Sequence, residues 1–398
     1  MTHMSEPLPA ADEITSNDDL LTEILRRLPL KSLLKFKSVS KPWLSLICNP
    51  HFSRRRNPNS ISGLFLQRYT PDGCFVDPKF DFVPLDDCKP ELAPFRSLPF
   101  VDGRSGIRLV HSCNGLLCCF TLGVNVFDRR YYIYNPTTRQ YTQLHNIRNC
   151  DRPQSAVMGV NLAFDPSKSP HYKVVCVLGF EDGGDYSINS DCQIKIYSSE
   201  TRLWKISGGV FSANRNIDFN QGVFWNGALH WICCYHGPSL CFDVDQERLR
   251  EIPMPPIPEF FQSEIRYFGE SRDHLHIVAI RGPRLKKFDV YEMRRDYSEW
   301  FVKYHVDLDS LTTSLPEMVV QSFINPPHYY EFGILCLLRG ETDEESYLVL
   351  HVPGKAIRYN LKDQSYEKLC DVEDIDYDDR PRYRHSNAYR YVECLSWF

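Results

Sequence analysis

The stretch GALHWICCYHGPSLCFDVDQERLREI, residues 227–252, decides the fold. Its opening GALHWICCY is almost uniformly apolar, as in a strand buried on both faces. LCFDVDQERLREI (240–252) then alternates apolar and polar residues on either side of a polar turn, the pattern of a β-hairpin. The same plan recurs with NGLLCCF ahead of YYIYNPTTRQYTQL (131–144) and YKVVCVLGF ahead of IKIYSSETRLWKI (194–206). It recurs again with HLHIVAI ahead of KFDVYEMRRDYSEWFVKY (287–304) and FGILCLL ahead of AIRYNLKDQSYEKL (356–369).

An apolar strand followed by a polar hairpin, repeated at intervals of 45 to 70 residues, is the signature of propeller blades, with the apolar runs next to the central axis. GLFLQRYTPDGCFVDPKFDFVPL (63–85) reads as a sixth, irregular blade. The late stretch NAYRYVECLSWF is expected to pair with it and close the ring, which removes exposed sheet edges. The expectation is therefore a mainly β chain with a propeller of about six blades, or seven if residues 58–104 and the end of the chain hold one more.

Ahead of the repeats stands DDLLTEILRRLPLKSLLKFKSVSKPWLSLI (18–47), of different character. Ser16 or Asn17 suits a helix N-cap, and Asp18, Asp19 and Glu23 suit a helix N-terminus. At about 100° per residue, Leu20, Ile24, Leu28, Leu21 and Leu25 form one stripe roughly 140° wide. Pro29 ends this helix; Lys31-Ser32 begins a second, with Leu33, Leu34 and Phe36. Ser40 caps a third, with Pro42 in its first turn and Trp43, Leu44, Leu46 and Ile47 on its buried side. Three short helices are too small to bury enough surface alone, and the stripe is broader than the roughly 100° one core needs. The surplus predicts an interface.

DLLTEILRRLPLKSLLKFKSVSKPWLSLICNPHF strongly resembles the F-box, by which substrate receptors attach to the SKP1-type linker of cullin–RING ubiquitin ligases. The resemblance implies linker binding, or support of the binding face, by Leu20, Leu21, Ile24, Leu25, Leu28 and Pro29. It gives Leu33, Val39, Ser40 and Trp43 the completion of the core and contact surface. The family often opens with Leu-Pro before the acidic pair, where this chain has Ser16-Asn17. The body resembles the F-box-associated domain of plant-type F-box proteins, related in form to kelch propellers. The motifs are CNGLLC (113–118), YNPTTRQY (134–141), AFDPSKSPHYKVV (163–175), GVFWNGALHWI (222–232) and FDVYEMRRDYSEW (288–300). Gly115 and Gly227 suit positive φ, and Trp204, Trp225, Trp231 and Trp300 suit packing between blades. The expected organisation is a disordered tail over 1–15, the three-helix F-box over 16–57 and the propeller over 58–398.

At 398 residues with 42% apolar and 24% charged residues, the composition is that of a globular protein. A net charge of −5 gives no field favouring nucleic acid or anionic lipid, and no apolar run approaches the roughly 18 residues of a membrane helix. MTHMSEPLPAADEIT lacks the basic start and apolar core of a signal peptide. Fifteen cysteines, an odd number without a CxxC pair and mostly inside apolar runs, read as reduced thiols in nucleus or cytoplasm. Arg54-Arg55-Arg56 reads as a solvated cluster at a helix end.

There is no GxSxG elbow, P-loop, GxGxxG or HExxH. His111, His145, His171, His230, His236, His274, His276, His305 and His351 are scattered; His274 and His276 share a strand face without a third metal ligand in sequence. The acidic run DVEDIDYDDR (371–380) lacks the loop glycine and spacing of a calcium site. No catalytic residue, metal or cofactor is expected. Long insertions at 70–79, 181–191, 253–264 and 309–332, with Phe260, Phe261, Tyr329, Tyr330 and Phe332, are candidate recognition regions. The reading that follows is a non-catalytic substrate-recognition adaptor of an SCF-type E3 ubiquitin ligase. Its partners would be the SKP1-type linker and a protein substrate on the propeller. The alternative is a propeller module that binds protein or glycan without a ligase.

Overall fold

The computed structural model describes residues 17–28, 30–49, 52, 61–67, 80–85, 98, 107–121, 129–147, 155–180, 189–233, 237–256, 263–281, 286–321, 328–372 and 387–395, and all that follows concerns these. Three helices come first: α1 (Asp18–Arg26), α2 (Leu30–Phe36) and α3 (Lys41–Cys48). Asn17 caps α1, its Oδ1 accepting from the amides of Asp19 (3.1 Å) and Leu20 (3.2 Å), and Ser40 Oγ accepts from the Trp43 amide at the start of α3.

Antiparallel sheets then form six blades among the described residues. Blade I holds Ile107–Cys113, Leu116–Thr121, Tyr131–Asn135 and Gln140–Leu144. Blade II holds Ser155–Ala163, Lys173–Phe180, Asn189–Ser198 and Leu203–Asn214. Blade III holds Val223–Trp225, Ala228–Trp231, Ser239–Asp243 and Arg248–Ile252. Blade IV holds Ser263–Ser271, His274–Arg281, Lys287–Met293 and Trp300–Asp307. Blade V holds Gly333–Leu338, Tyr347–Val352, Lys355–Asn360 and Tyr366–Asp371. Blade VI joins Ala388–Val392, Ile61–Gln67 and Phe80–Pro84, so the late strand closes the ring with the early ones as the sequence suggested.

One expectation needs correction. The apolar runs are the second strands of blades I to IV; only FGILCLL of blade V belongs to a first strand. The first strands lie innermost, that of blade I against blade II, III against IV, IV against V, and Ala388–Val392 against blade I. A second strand has a neighbour on each edge and apolar blades on each face, which is why it reads as an unbroken apolar run. Outside blade V, whose first strand GILCLL is wholly buried, first strands such as IRLVHSC mix polar with apolar residues and carry no comparable signal.

Turn chemistry explains the hairpins. Asn114 and Gly115 (φ 44° and 91°) and Asn226 and Gly227 (49° and 77°) make the positive-φ two-residue turns that match strand twist. Between third and fourth strands, Asn135, Asp243 and Asn360 each accept two backbone N–H bonds from the turn they open. Arg139, Arg202, Glu247 and Gln364 end these turns in the left-handed region.

The core lies between blades. Val160, Val174 and Cys176 of blade II pack on Cys118 and Ile133 of blade I; Leu229 and Trp231 of blade III share a core with Val175 and Ile194 of blade II; Trp225 and Trp300 belong to one core between blades III and IV, where Trp225 meets Tyr297 at 5.2 Å between centroids. Trp204, Trp225 and Trp300 also donate across blade boundaries, to the carbonyls of His145 (2.7 Å), Asp273 (2.9 Å) and Pro253 (2.8 Å).

Closure is reinforced on the axis. Arg390, in the closing strand, donates through Nη1 to Glu270 Oε2 (3.1 Å) and through Nη2 to the Tyr267 hydroxyl (2.7 Å), while its amide donates to Ser112 Oγ (3.0 Å). Blades VI, IV and I are thereby tied together. Replacing Arg390→Ala leaves Glu270 facing the channel without its cation. The expected cost is about 2–3 kcal/mol, because both side chains retain some solvent access, read as a lower urea midpoint with unchanged far-UV circular dichroism.

Candidate functional site

The stripe on α1 is divided by the fold. Leu21 and Leu25, with 2% and 0% of their surface exposed, point inward and join Leu33, Ile47 and Phe52 in a small core. Leu28 and Trp43 pack partly against it, and Trp43 meets Phe36 edge-on at 5.2 Å between ring centroids. Leu20 and Ile24, four apart and so neighbours on one face, stay 51% and 43% exposed; Val39, after α2, is 58% exposed. Ser40 serves as the cap of α3, and Pro29 lies outside the described residues. Of the expected surface, then, Leu20, Ile24 and Val39 face solvent, while Leu21, Leu25 and Leu33 support it from beneath.

The helical core has a contributor that no local pattern announces. Leu395, just after the closing strand, is buried in it, and Lys37 Nζ donates to the Leu395 carbonyl at 2.7 Å across a separation of 358 residues. This contact lies at the rim that carries the short turns, because Cys394 is bonded to Asn135 and Thr137 of a blade I turn. An antiparallel meander puts the other connections at the opposite rim. The strand ends flanking all four long insertions, at Gln67 and Phe80, Phe180 and Asn189, Ile252 and Ser263, and Asp307 and Gly333, lie there.

Residues 70–79 and Phe260 and Phe261 lie outside the described residues, as do Arg54–Arg56 and most of 371–380. Phe332 does not serve as an exposed contact: it is buried and stacked with Phe288 at 6.1 Å. Tyr330 is half-buried beneath the Lys286 ammonium.

Two other clusters bear on chemistry. On the axis, a cavity of about 150 Å³ is lined by His111, Asn114, Glu270, Arg272 and Arg390, among others. His111 Nδ1 accepts from the Leu162 amide (3.0 Å), so Nε2 carries the proton and donates to the Gly222 carbonyl (2.7 Å). Burial pushes its pKa down to about 4, so it is a neutral bridge between blades. Between blades III and IV, Cys241 Sγ lies 3.4 Å from His230 Nε2. Burial pushes the thiol up and the imidazole down to about 4, the opposite of what an activated thiolate–imidazolium pair needs.

His274 and His276 do converge, on Glu292, at 2.9 and 3.1 Å, with Arg339 at 2.9 Å. Burial favours the neutral acid, but bonds from both histidines and the Arg339 charge hold the Glu292 carboxyl well below its usual range. Both carboxylate oxygens are engaged by these donors. Among the described residues no group of three or more His, Cys, Asp or Glu side chains is placed to hold a metal, and no helix is long and apolar enough to cross a membrane.

A small helical unit with an uncovered apolar stripe, fixed to one rim of a six-bladed propeller, defines the class of protein. The family described as F-box domain matches residues 17–55, and that described as F-box associated beta propeller domain matches residues 82–302. F-box protein At5g07610 of Arabidopsis thaliana is 36% identical, the match covering 97% of this chain and 93% of the relative. F-box protein At5g49610, from the same plant, is 31% identical over 60% of this chain and 64% of its own length. The solved structure of TolB from Acinetobacter baumannii aligns with 73% of this chain and 61% of its own at 11% identity, with a TM-score of 0.36, too low to carry an argument. The chain belongs to the F-box proteins that carry an F-box-associated β-propeller domain.

The buried histidines set a pH dependence. His111 and His230 regain ordinary pKa values near 6.5 on unfolding, so below that pH the unfolded chain binds protons the folded chain does not. Stability is then fully present above about 6.5 and falls toward pH 4, by on the order of 3 kcal/mol for each histidine by the lower limit. Urea titrations at neutral pH and near pH 5 should show the drop, and His111→Gln should make it shallower.

Proposed function

We propose that this chain is the substrate-recognition subunit of an SCF-type E3 ubiquitin ligase, acting in the reducing nucleus or cytoplasm. Its F-box takes the SKP1-type linker and, through it, a cullin–RING ligase; its propeller takes a protein substrate. The observation that carries this reading is the exposure of Leu20 and Ile24 on a helix whose inner face is already packed. A fully covered aliphatic side chain contributes on the order of 1.5–3 kcal/mol, so leaving both in water is offset only by a partner that covers them. Val39 belongs to the same contact surface, with Leu21, Leu25, Leu33 and Trp43 holding the shape beneath it.

Catalysis by this chain would consist of proximity. A substrate lysine held near the charged E2 reacts at a raised effective concentration, and no side chain here needs to transfer a proton or form a covalent bond. The rim bearing the four long connections is opposite the F-box and supports recognition of the substrate there, where loop sequence varies without disturbing strands.

The test is retention on an immobilised SKP1-type linker. Leu20→Asp with Ile24→Asp should weaken retention at least about 100-fold while changing the urea midpoint little, since neither side chain supports the core. Leu25→Asp is the folding control and should lose retention together with α1 helicity. Equal retention of wild type and the double variant would remove the assignment. Unchanged turnover of a captured partner after deletion of residues 17–52 would favour a ligase-independent binding module.

A further inference from the structure

We propose that the propeller completes the F-box: Leu395 and the Lys37–Leu395 hydrogen bond order the helices on the blade I rim, so the F-box reaches its folded state only on a closed ring. The dependence stands whether or not the exposed stripe takes a SKP1-type linker.

The helical unit spans about 35 residues, below the size at which a chain buries enough surface to hold itself together. Its fully buried apolar residues are Leu21, Leu25, Leu33, Ile47 and Phe52, and the sixth member of that core is Leu395. Lys37 is 6% exposed at the end of α2, where an ammonium without acceptors is strongly disfavoured; the Leu395 carbonyl accepts from it at 2.7 Å. The F-box thus takes one apolar plug and one hydrogen-bond acceptor from the propeller.

That segment is held from the other side. Cys394 donates its amide to Thr137 Oγ1 and accepts from Asn135 Nδ2, both at 3.1 Å, and both partners sit in the blade I turn. Gly115, at φ 91°, makes room for it, since a Cβ there would lie 2.3 Å from the Cys394 Cβ. The closing strand ends at Val392, so ring closure brings Leu395 to within three residues of a fixed point. Among the described residues, the propeller's own cores between blades include no F-box side chain, so loss of the tie is expected to reach the helices before the blades. On the reading above, the tie also gives the recognition rim a fixed bearing relative to the linker.

The experiment is hydrogen exchange by mass spectrometry on the full chain. Leu395→Asp should make the α1 and α2 amides exchange about 100-fold faster, with blade strands unchanged. Leu395→Met should stay within about threefold of wild type, and Lys37→Met should give about 10-fold. Thr137→Val keeps Asn135 in the blade I turn and removes the acceptor of the Cys394 amide, so it should also raise F-box exchange about 10-fold by loosening Cys394. Unchanged F-box exchange in Leu395→Asp would overturn the proposal, and so would equal acceleration of the blade strands. Failure of wild type to bind the linker would instead count against the proposed function and leave these exchange outcomes readable.

Discussion

The pairing of Ala388–Val392 with Ile61–Gln67 is the constraint on which the rest depends. It joins segments some 320 residues apart, as in the bond from Asn387 Nδ2 to the Gln67 carbonyl at 3.0 Å. Bringing such distant ends together costs on the order of 5 kcal/mol in chain entropy, before any constant term. Several features offset it at once. Phe65, Tyr389 and Tyr391 are buried between blades VI and I, Gln67 Nε2 donates to the Ile107 carbonyl, Tyr389 donates to the Leu109 carbonyl, and Arg390 reaches blade IV. Without this strand, blade VI has two strands and an open edge, and blade I loses the Tyr389 and Tyr391 side chains that pack against its Leu109 and Tyr132.

Closure also decides where the F-box sits. The early strand of blade VI begins at the rim where the late strand ends, so the helices that precede one and the Cys394–Leu395 segment that follows the other meet. Antiparallel alternation then sends the strand ends that flank the long insertions of blades II, III–IV, IV–V and VI to the far rim. The separation of the F-box end from the loop-bearing end therefore follows from strand direction and needs no special contact to enforce it.

Much of this was legible in the sequence, for identifiable reasons. The hairpins were visible because alternation on either side of a polar turn is a local signal, and in three of those turns Asn135, Asp243 and Asn360 accept from the turn amides. The closing strand was visible because its alternation, AYRYV, had no partner nearby. What misled was the identification of the most apolar strand with the innermost one. Burial on both faces is reached by lying between blades, and the strand nearest the axis instead meets a cavity where His111, Glu270 and Arg390 stand among apolar residues. On the F-box, periodicity gave the width of the stripe but not its division, since Leu21 and Leu25 are assigned inward only by the positions of Leu33, Ile47 and Leu395. Leu395 and Lys37 carried no signal, because a contact across 358 residues leaves no periodic trace.

The division of α1 explains why so small a helical unit keeps apolar side chains in water. Its helices supply more apolar surface than its own core holds, and the propeller's segment covers only the inner side, with one leucine. The described propeller residue in that core is Leu395, which reaches it from the inner side and leaves Leu20 and Ile24 exposed. A surface that the fold does not cover from within, on a helix that the same fold holds in place, is available to a second chain at little ordering cost.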